Sequence, residues 1–75
     1  MDIKTFMADF ANQFDDTDSS MIQEDTRFHD LDEWGSLIGM SVIAMAKTQY
    51  GKTLTGKEIR ECVTVKDLFD LVSSK

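Results

Sequence analysis

The chain has 75 residues, with 8 Lys plus Arg against 14 Asp plus Glu and a net charge of −6. That length makes residues 1–75 a single domain, since ordinary domains run to about 100–200 residues. A chain this short buries only about 60% of the surface its unfolded form exposes. So thin a core leaves little room for a closed catalytic pocket, and a carrying, binding or adaptor role is expected rather than an enzyme. The negative charge repels a phosphate backbone, and no basic stripe with interleaved aromatics offsets it. Nucleic acid and anionic membrane surfaces are therefore disfavoured, and basic protein surfaces are the natural electrostatic complement.

Cys62 is the only cysteine, so no internal disulfide or thiolate metal cluster can form from one chain. No stretch approaches the roughly 18 apolar residues of a membrane span, so no membrane insertion is expected. The leading residues MDIKTFMADF lack the basic-then-apolar layout of a signal peptide, and the cytoplasm is the expected compartment.

In chain order, Ile3, Phe6, Met7, Phe10 and Phe14 recur at helical spacing and predict a first amphipathic helix. Asp2 is its expected N-cap, with Met1 and Phe6 stapling across it. Residues 15 to about 33 lose the period and turn polar, predicting a long connection pinned by Met21, Ile22, Phe28 and Leu31. Connections of more than about 12–15 residues are uncommon in small domains and are often functional. The apolar run SLIGMSVIAMAKTQYG follows, predicting a helix from Ser36 to a C′ stop at Gly51. Gly39, Val42, Ile43, Ala46 and Tyr50 are expected to face inward, and Leu37, Met40 and Ala44 form a second apolar strip. A helix apolar on more than one face is central to its domain or meets a partner.

Two further start signals follow. Thr55 and Glu58 make a T-x-x-E capping box stapled by Leu54 and Ile59, opening a short helix that ends near Cys62. Thr64 and Asp67 repeat the device, with Val63 and Leu68 as staple, and open a terminal helix with Val65, Leu68, Phe69 and Val72 on its apolar side. The sum is four helices, the third short.

The candidate sites are few. Asp15, Asp16 and Asp18 suggest a calcium loop, but counting from Asp16 puts Met21 and Arg27 where such a loop needs glycine and a bidentate glutamate. These acids read as solvated loop charge. His29, the sole histidine, is expected to pair with Asp30 and Asp32, and Cys62 to serve packing. Ser36 stands apart, with a long loop and a glycine before it and a strong helix after it. Such a serine is ordinarily an N-cap. The same position suits a phosphoester, because the helix's free amides and positive end stabilise a phosphate there.

The flanking pattern decides between these readings. F-x-x-L at Phe28 to Leu31, W-G-S-L at Trp34 to Leu37, Y-G at Tyr50 and Gly51, L-T-G-K-E-I at 54–59 and T-V-K-D-L-F-D-L-V at 64–72 together resemble the acyl carrier protein family. That family shows an aromatic, a loop, D-S-L opening its second helix, F-G or Y-G closing it, a short third helix and T-V-x-D opening the fourth. The resemblance covers nearly the whole chain and lies in the order and separation of its elements. It implies an all-α, right-handed four-helix bundle of acyl-carrier type, three helices longer and one short. It also implies that Ser36 receives a 4′-phosphopantetheine arm from coenzyme A, whose thiol carries acyl groups as thioesters between enzymes. The implied partners are a phosphopantetheinyl transferase and acyl-transferring or condensing enzymes, with the carrier acting as a monomer.

Two departures mark a divergent member. Gly35 replaces the family's aspartate before the serine, a residue used in recognition by the transferase, although Trp34 two positions before the serine recurs in some divergent carriers. The modification helix carries no acid, with Ile38, Ser41, Lys47 and Thr48 standing where acids are expected. Docking is therefore expected to rest on Leu37, Ile38, Met40 and Ala44, with Asp30, Asp32 and Glu33 of the preceding loop. Binding should then change little with salt, and a specialised lipid or polyketide-like pathway is expected rather than housekeeping fatty acid biosynthesis. Gly39 and Ala46 either leave room for an acyl chain or let a helix approach, and the second is the simpler reading. The alternatives are a peptidyl or aminoacyl carrier, and an unmodified helical interaction module in which Ser36 is only a cap.

Overall fold

The computed structural model describes residues 2–75, so the stapling expected of Met1 lies outside the described residues. Four α-helices form, α1 over Ile3–Ala11, α2 over Ser36–Tyr50, α3 over Gly56–Glu61 and α4 over Val65–Ser73, and no strand occurs among the described residues. Two single 3₁₀ turns, Ser19–Met21 and Phe28–Asp30, break up the long connection between α1 and α2. No helix among the described residues is long and apolar enough to cross a membrane.

The helix ends follow from the capping chemistry. Asp2 accepts a hydrogen bond from the Thr5 amide at the start of α1. Both predicted capping boxes are closed. Thr55 accepts from Glu58 N–H while Glu58 accepts from Thr55 N–H, and Thr64 and Asp67 do the same for α4. Each box satisfies amides that the first turn cannot. At the other end of α2, Gly51 takes the left-handed conformation, φ 66°, and its N–H and that of Lys52 turn back to the Lys47 and Ala46 carbonyls. Only glycine adopts that backbone without strain.

Packing centres on a run of aromatic rings. Phe6, Phe10 and Phe28 are fully buried, and Phe10 contacts Phe14, Phe28 and Trp34 at ring separations of 5.3, 5.8 and 6.2 Å. α1 packs against α2 and α4, and α2 also packs against α3. The Tyr50 hydroxyl donates to Asp9 at 2.6 Å, fastening α2 to α1, and burial, then this bond, raises the phenol's pKa. From α4, Val65, Leu68 and Val72 are buried and Phe69 is half-buried, as the period predicts.

Three local expectations are corrected. α1 stops at Ala11, so Phe14 enters the core from a turn, not from the helix. In the connection Ile22 and Phe28 are buried and Leu31 is half-buried, whereas Met21 is 56% exposed and pins nothing. Val63 is exposed, so Leu68 packs without a stapling partner there. Backbone hydrogen bonds add to the anchors Ile22 and Phe28 in holding the long connection. The Val65 and Lys66 amides, free at the start of α4, donate to the Thr26 and Glu24 carbonyls at 3.0 and 2.9 Å. The polar loop therefore completes the hydrogen bonding of the terminal helix.

Candidate functional site

The entrance of α2 is built by the aromatic core beneath it. Trp34 lies against Phe28 with ring centroids 4.8 Å apart and stacks on Phe10, while its amide donates to the Leu31 carbonyl at 3.0 Å. This anchorage fixes where the chain turns into the helix. Gly35 is the N-cap, in extended backbone (φ −176°), and its carbonyl accepts the first helical bond from Gly39 N–H at 2.9 Å. Ser36 is thus the first residue inside the helix, and no side chain caps it. Ser36 does not fill the cap role that serines ordinarily take at such a position, because it sits one residue beyond the N-cap, Gly35. Its side chain is exposed.

The outer strip of α2 divides. Leu37 and Met40 are 75% and 67% exposed, and Ala44 is exposed with them. Ile38, expected beside them at the docking surface, is only 7% exposed and belongs to the core. The reason is geometric. Ile38, Val42, Met45 and Ala46 recur at intervals of four, three and one along the helix and form a single stripe. The expected inward set shifts accordingly, since Gly39, Ile43 and Tyr50 are only half-buried. Met45, unassigned in the sequence reading, takes an inner place.

Beside Ser36 a cleft of about 360 Å³ opens between α2 and α3. Trp34, Gly39, Met40 and Ile43 line it together with Gly56, Ile59 and Arg60 of α3, and His29, Gly35 and Ser36 belong to the same lining. A Cβ on Gly39 would meet Trp34 at 3.8 Å, ordinary contact that would narrow this cleft. The two small residues of α2 therefore differ. Ala46 is fully buried and serves helix packing, whereas Gly39 opens space next to the serine.

His29 does not pair with Asp30 or Asp32. Its Nε2 lies 3.1 Å from the Ile59 carbonyl and 3.0 Å from the Cys62 carbonyl. Carbonyl oxygens only accept, so Nε2 carries a proton and ties the loop to the end of α3. The ring also packs on Phe28 at 4.3 Å. Nothing in the sequence marks this bond, since it joins residues about thirty positions apart.

The loop acids also separate. Asp30 and Asp32 are exposed, Asp30 in a loose surface pair with Arg27 at 3.8 Å. Glu33, grouped with them for docking, has a different task. Its carboxylate accepts from the Asp15 and Asp16 amides at 2.6 and 2.9 Å and from Thr17 Oγ1 at 2.9 Å. Those bonds, that of the Asp15 amide foremost, hold its pKa below the usual carboxylate value. With both oxygens engaged inside the chain, Glu33 is a latch between the end of α1 and the approach to Ser36. Asp18 accepts from the Ser20 amide at 3.1 Å and caps a 3₁₀ turn. Cys62 is buried, and burial followed by the charges of Asp67, Glu58 and Glu61 raises its thiol's pKa, away from the reactive thiolate.

Comparison of the chain with protein-family models, curated proteins and solved structures finds no match.

Proposed function

We propose that the chain is an acyl carrier: a four-helix bundle of acyl-carrier type that holds acyl groups as thioesters on a 4′-phosphopantetheine arm attached to Ser36. The reading rests on the family pattern together with one observation. Side chains cap α1, α3 and α4, whereas α2 is left uncapped and the exposed hydroxyl of Ser36 stands at its entrance. A phosphate on that oxygen would meet the helix's unpaired amides and positive end, which replace the missing cap. The chain itself supplies no catalytic group in this reading. Its contribution is positional, since a covalent tether raises the acyl group's effective concentration at whichever enzyme the carrier has docked.

Partners in the cytoplasm are a phosphopantetheinyl transferase and acyl-transferring or condensing enzymes. Leu37, Met40 and Ala44 supply the contact surface, together with the exposed Asp30 and Asp32 of the preceding loop. Ile38 and Glu33 drop out, being committed to the core and to the loop latch. The weak charge of this surface favours a dedicated pathway for a specialised lipid or polyketide-like product. A peptidyl or aminoacyl carrier shares the same attachment chemistry and differs only in cargo.

The test is intact-mass measurement after incubation with coenzyme A and a broad-specificity transferase. A mass gain of one phosphopantetheine is expected, absent in Ser36→Ala. That variant should keep its stability within about 0.5 kcal/mol, the range of surface changes that break no cap. Absence of any gain, on recombinant protein and on protein from the native cell alike, would leave the interaction-module reading in its place.

A further inference from the structure

The cleft beside Ser36 departs from the charge of the chain that makes it. The chain has 14 acids to 8 basic residues, yet among the described residues no acid lines the cleft, and Arg60 and His29 are its only ionisable ones. The His29 Nε2 proton is committed to two carbonyls. Arg60 differs. Its guanidinium folds back over the first turn of α3, with Nη1 3.5 Å from where a Cβ on Gly56 would sit. The residue is exposed and, like most basic residues among those described, takes part in no ion pair. The remaining walls include the apolar faces of Trp34, Met40, Ile43 and Ile59. At about 360 Å³ the space falls at the lower end of small-ligand pockets, about 300–1,000 Å³. Its volume suits a short apolar segment, and Arg60 in its lining offers a forked donor to an anion.

We propose that Arg60 makes this cleft selective for a negatively charged oxygen carried on the arm. The proposal rests on the carrier reading for its occupant, because Ser36 lines the same cleft. An anionic oxygen reaches Arg60 from one of two sources, a carboxylate at the end of the acyl group or the phosphodiester at the root of the arm. Guanidinium meets either as a forked donor.

The experiment avoids enzymatic loading. Ser36→Cys is prepared with Cys62→Ala and alkylated with short tethers of equal length ending in a methyl, a carboxylate or a phosphodiester. Should Cys62→Ala not fold, the buried Cys62 is left in place. Nuclear magnetic resonance then follows the Arg60 side-chain Nε–H and the amides of Gly39, Ile43 and Ile59. The anionic tethers should shift all four signals and populate the docked form about two- to fivefold more than the methyl tether, the range of an exposed ion pair. Arg60→Gln should remove the difference. Response to the carboxylate alone assigns the anion to the cargo, and response to the phosphodiester assigns it to the arm's root. Equal docking of all three tethers overturns the proposal, as does an anion preference that survives Arg60→Gln. A positive tether result with no mass gain under transferase would sink the carrier reading and leave the cleft's selectivity standing, and the reverse pattern would do the opposite.

Discussion

The bond from His29 to the end of α3 lends itself to a quantitative test. His29→Phe keeps an aromatic ring against Phe28 and Trp34 and removes the Nε2 donor. The Ile59 carbonyl would still accept from the Cys62 amide at 3.1 Å, while the Cys62 carbonyl would lose the donor that His29 supplies at 3.0 Å. A buried acceptor left without a partner costs about 1–3 kcal/mol, and an ordinary hydrogen bond contributes about 0.5–1.5. The His29 residue is exposed, so water recovers part of the loss, and about 1 kcal/mol is the expected cost. For a domain of this size that lowers Tm by about 4–8 °C. Thermal denaturation by circular dichroism measures the first effect. Hydrogen exchange measures the second, because opening of α3 should become about fivefold more frequent while α1 and α4 change only with global stability. A Tm within a degree or two of the parent, with unchanged exchange in α3, would show that the bond does not hold that helix.

Three other outcomes are expected. Gly35→Asp should fold, since its backbone is extended and a Cβ there meets nothing within 4 Å. It should gain a few tenths of a kcal/mol as an N-cap and, on the carrier reading, load faster with a broad-specificity transferase, and transferase kinetics unchanged from the parent would show that Gly35 does not limit recognition. Leu37→Glu and Met40→Glu should leave the urea midpoint nearly unchanged but, on the carrier reading, lower the loading rate at least about tenfold, in line with about 1.5 kcal/mol or more for each buried side chain. Parent loading should vary little with salt, and a steep fall would point to charge-led docking. Finally, hydrogen bonds hold Glu33, Glu58 and Asp67 below their ordinary values of 4.5, 4.5 and 3.8, with Lys75 the main cause at Glu58 and the Thr64 amide at Asp67. Groups depressed in the folded state contribute stability above their ordinary values and lose it as the pH falls through the folded ones. The urea midpoint should therefore decline between about pH 5 and about pH 2, less so in Glu33→Gln, and a flat midpoint would contradict the assignment.

What the sequence makes legible follows the range of the interactions involved. Capping boxes at Thr55 and Thr64, the stop at Gly51 and the apolar side of α4 depend on neighbours within a few residues, and each is found where its local pattern puts it. α2 is harder to read because it is apolar on several faces, so periodicity does not say which stripe points inward. Ile38 and Gly39 are adjacent, and only the packing of α1 and α3 decides that the first is buried and the second opens onto a cleft. The roles of His29 and Glu33 were hidden for another reason. Both lie among acids in a polar loop and look like surface charge, yet their partners are backbone groups far along the chain, His29 bonding to Ile59 and Cys62, Glu33 to Asp15 and Asp16. Backbone acceptors and donors leave no trace in residue identity.

The uncapped entrance of α2 is also an energetic statement. Domains hold about 0.05–0.15 kcal/mol per residue, so 75 residues correspond to roughly 4–11 kcal/mol in all. Moving from glycine to a good cap contributes only a few tenths, but a capping box adds a second bond, and the chain uses one at both α3 and α4. At α2, the longest of its helices, it uses neither device, although the Gly35 backbone accommodates any capping residue. A serine one position earlier would cap the helix and turn its hydroxyl toward the backbone amides. One position later than the cap, the hydroxyl is exposed and the amides stay unpaired. The arrangement forgoes stability at this helix start, and on the carrier reading the added phosphate restores it. On the carrier reading, then, attachment of the arm should raise Tm, and a loaded protein that melts at or below the temperature of the unloaded one would show that the phosphate does not occupy the helix entrance.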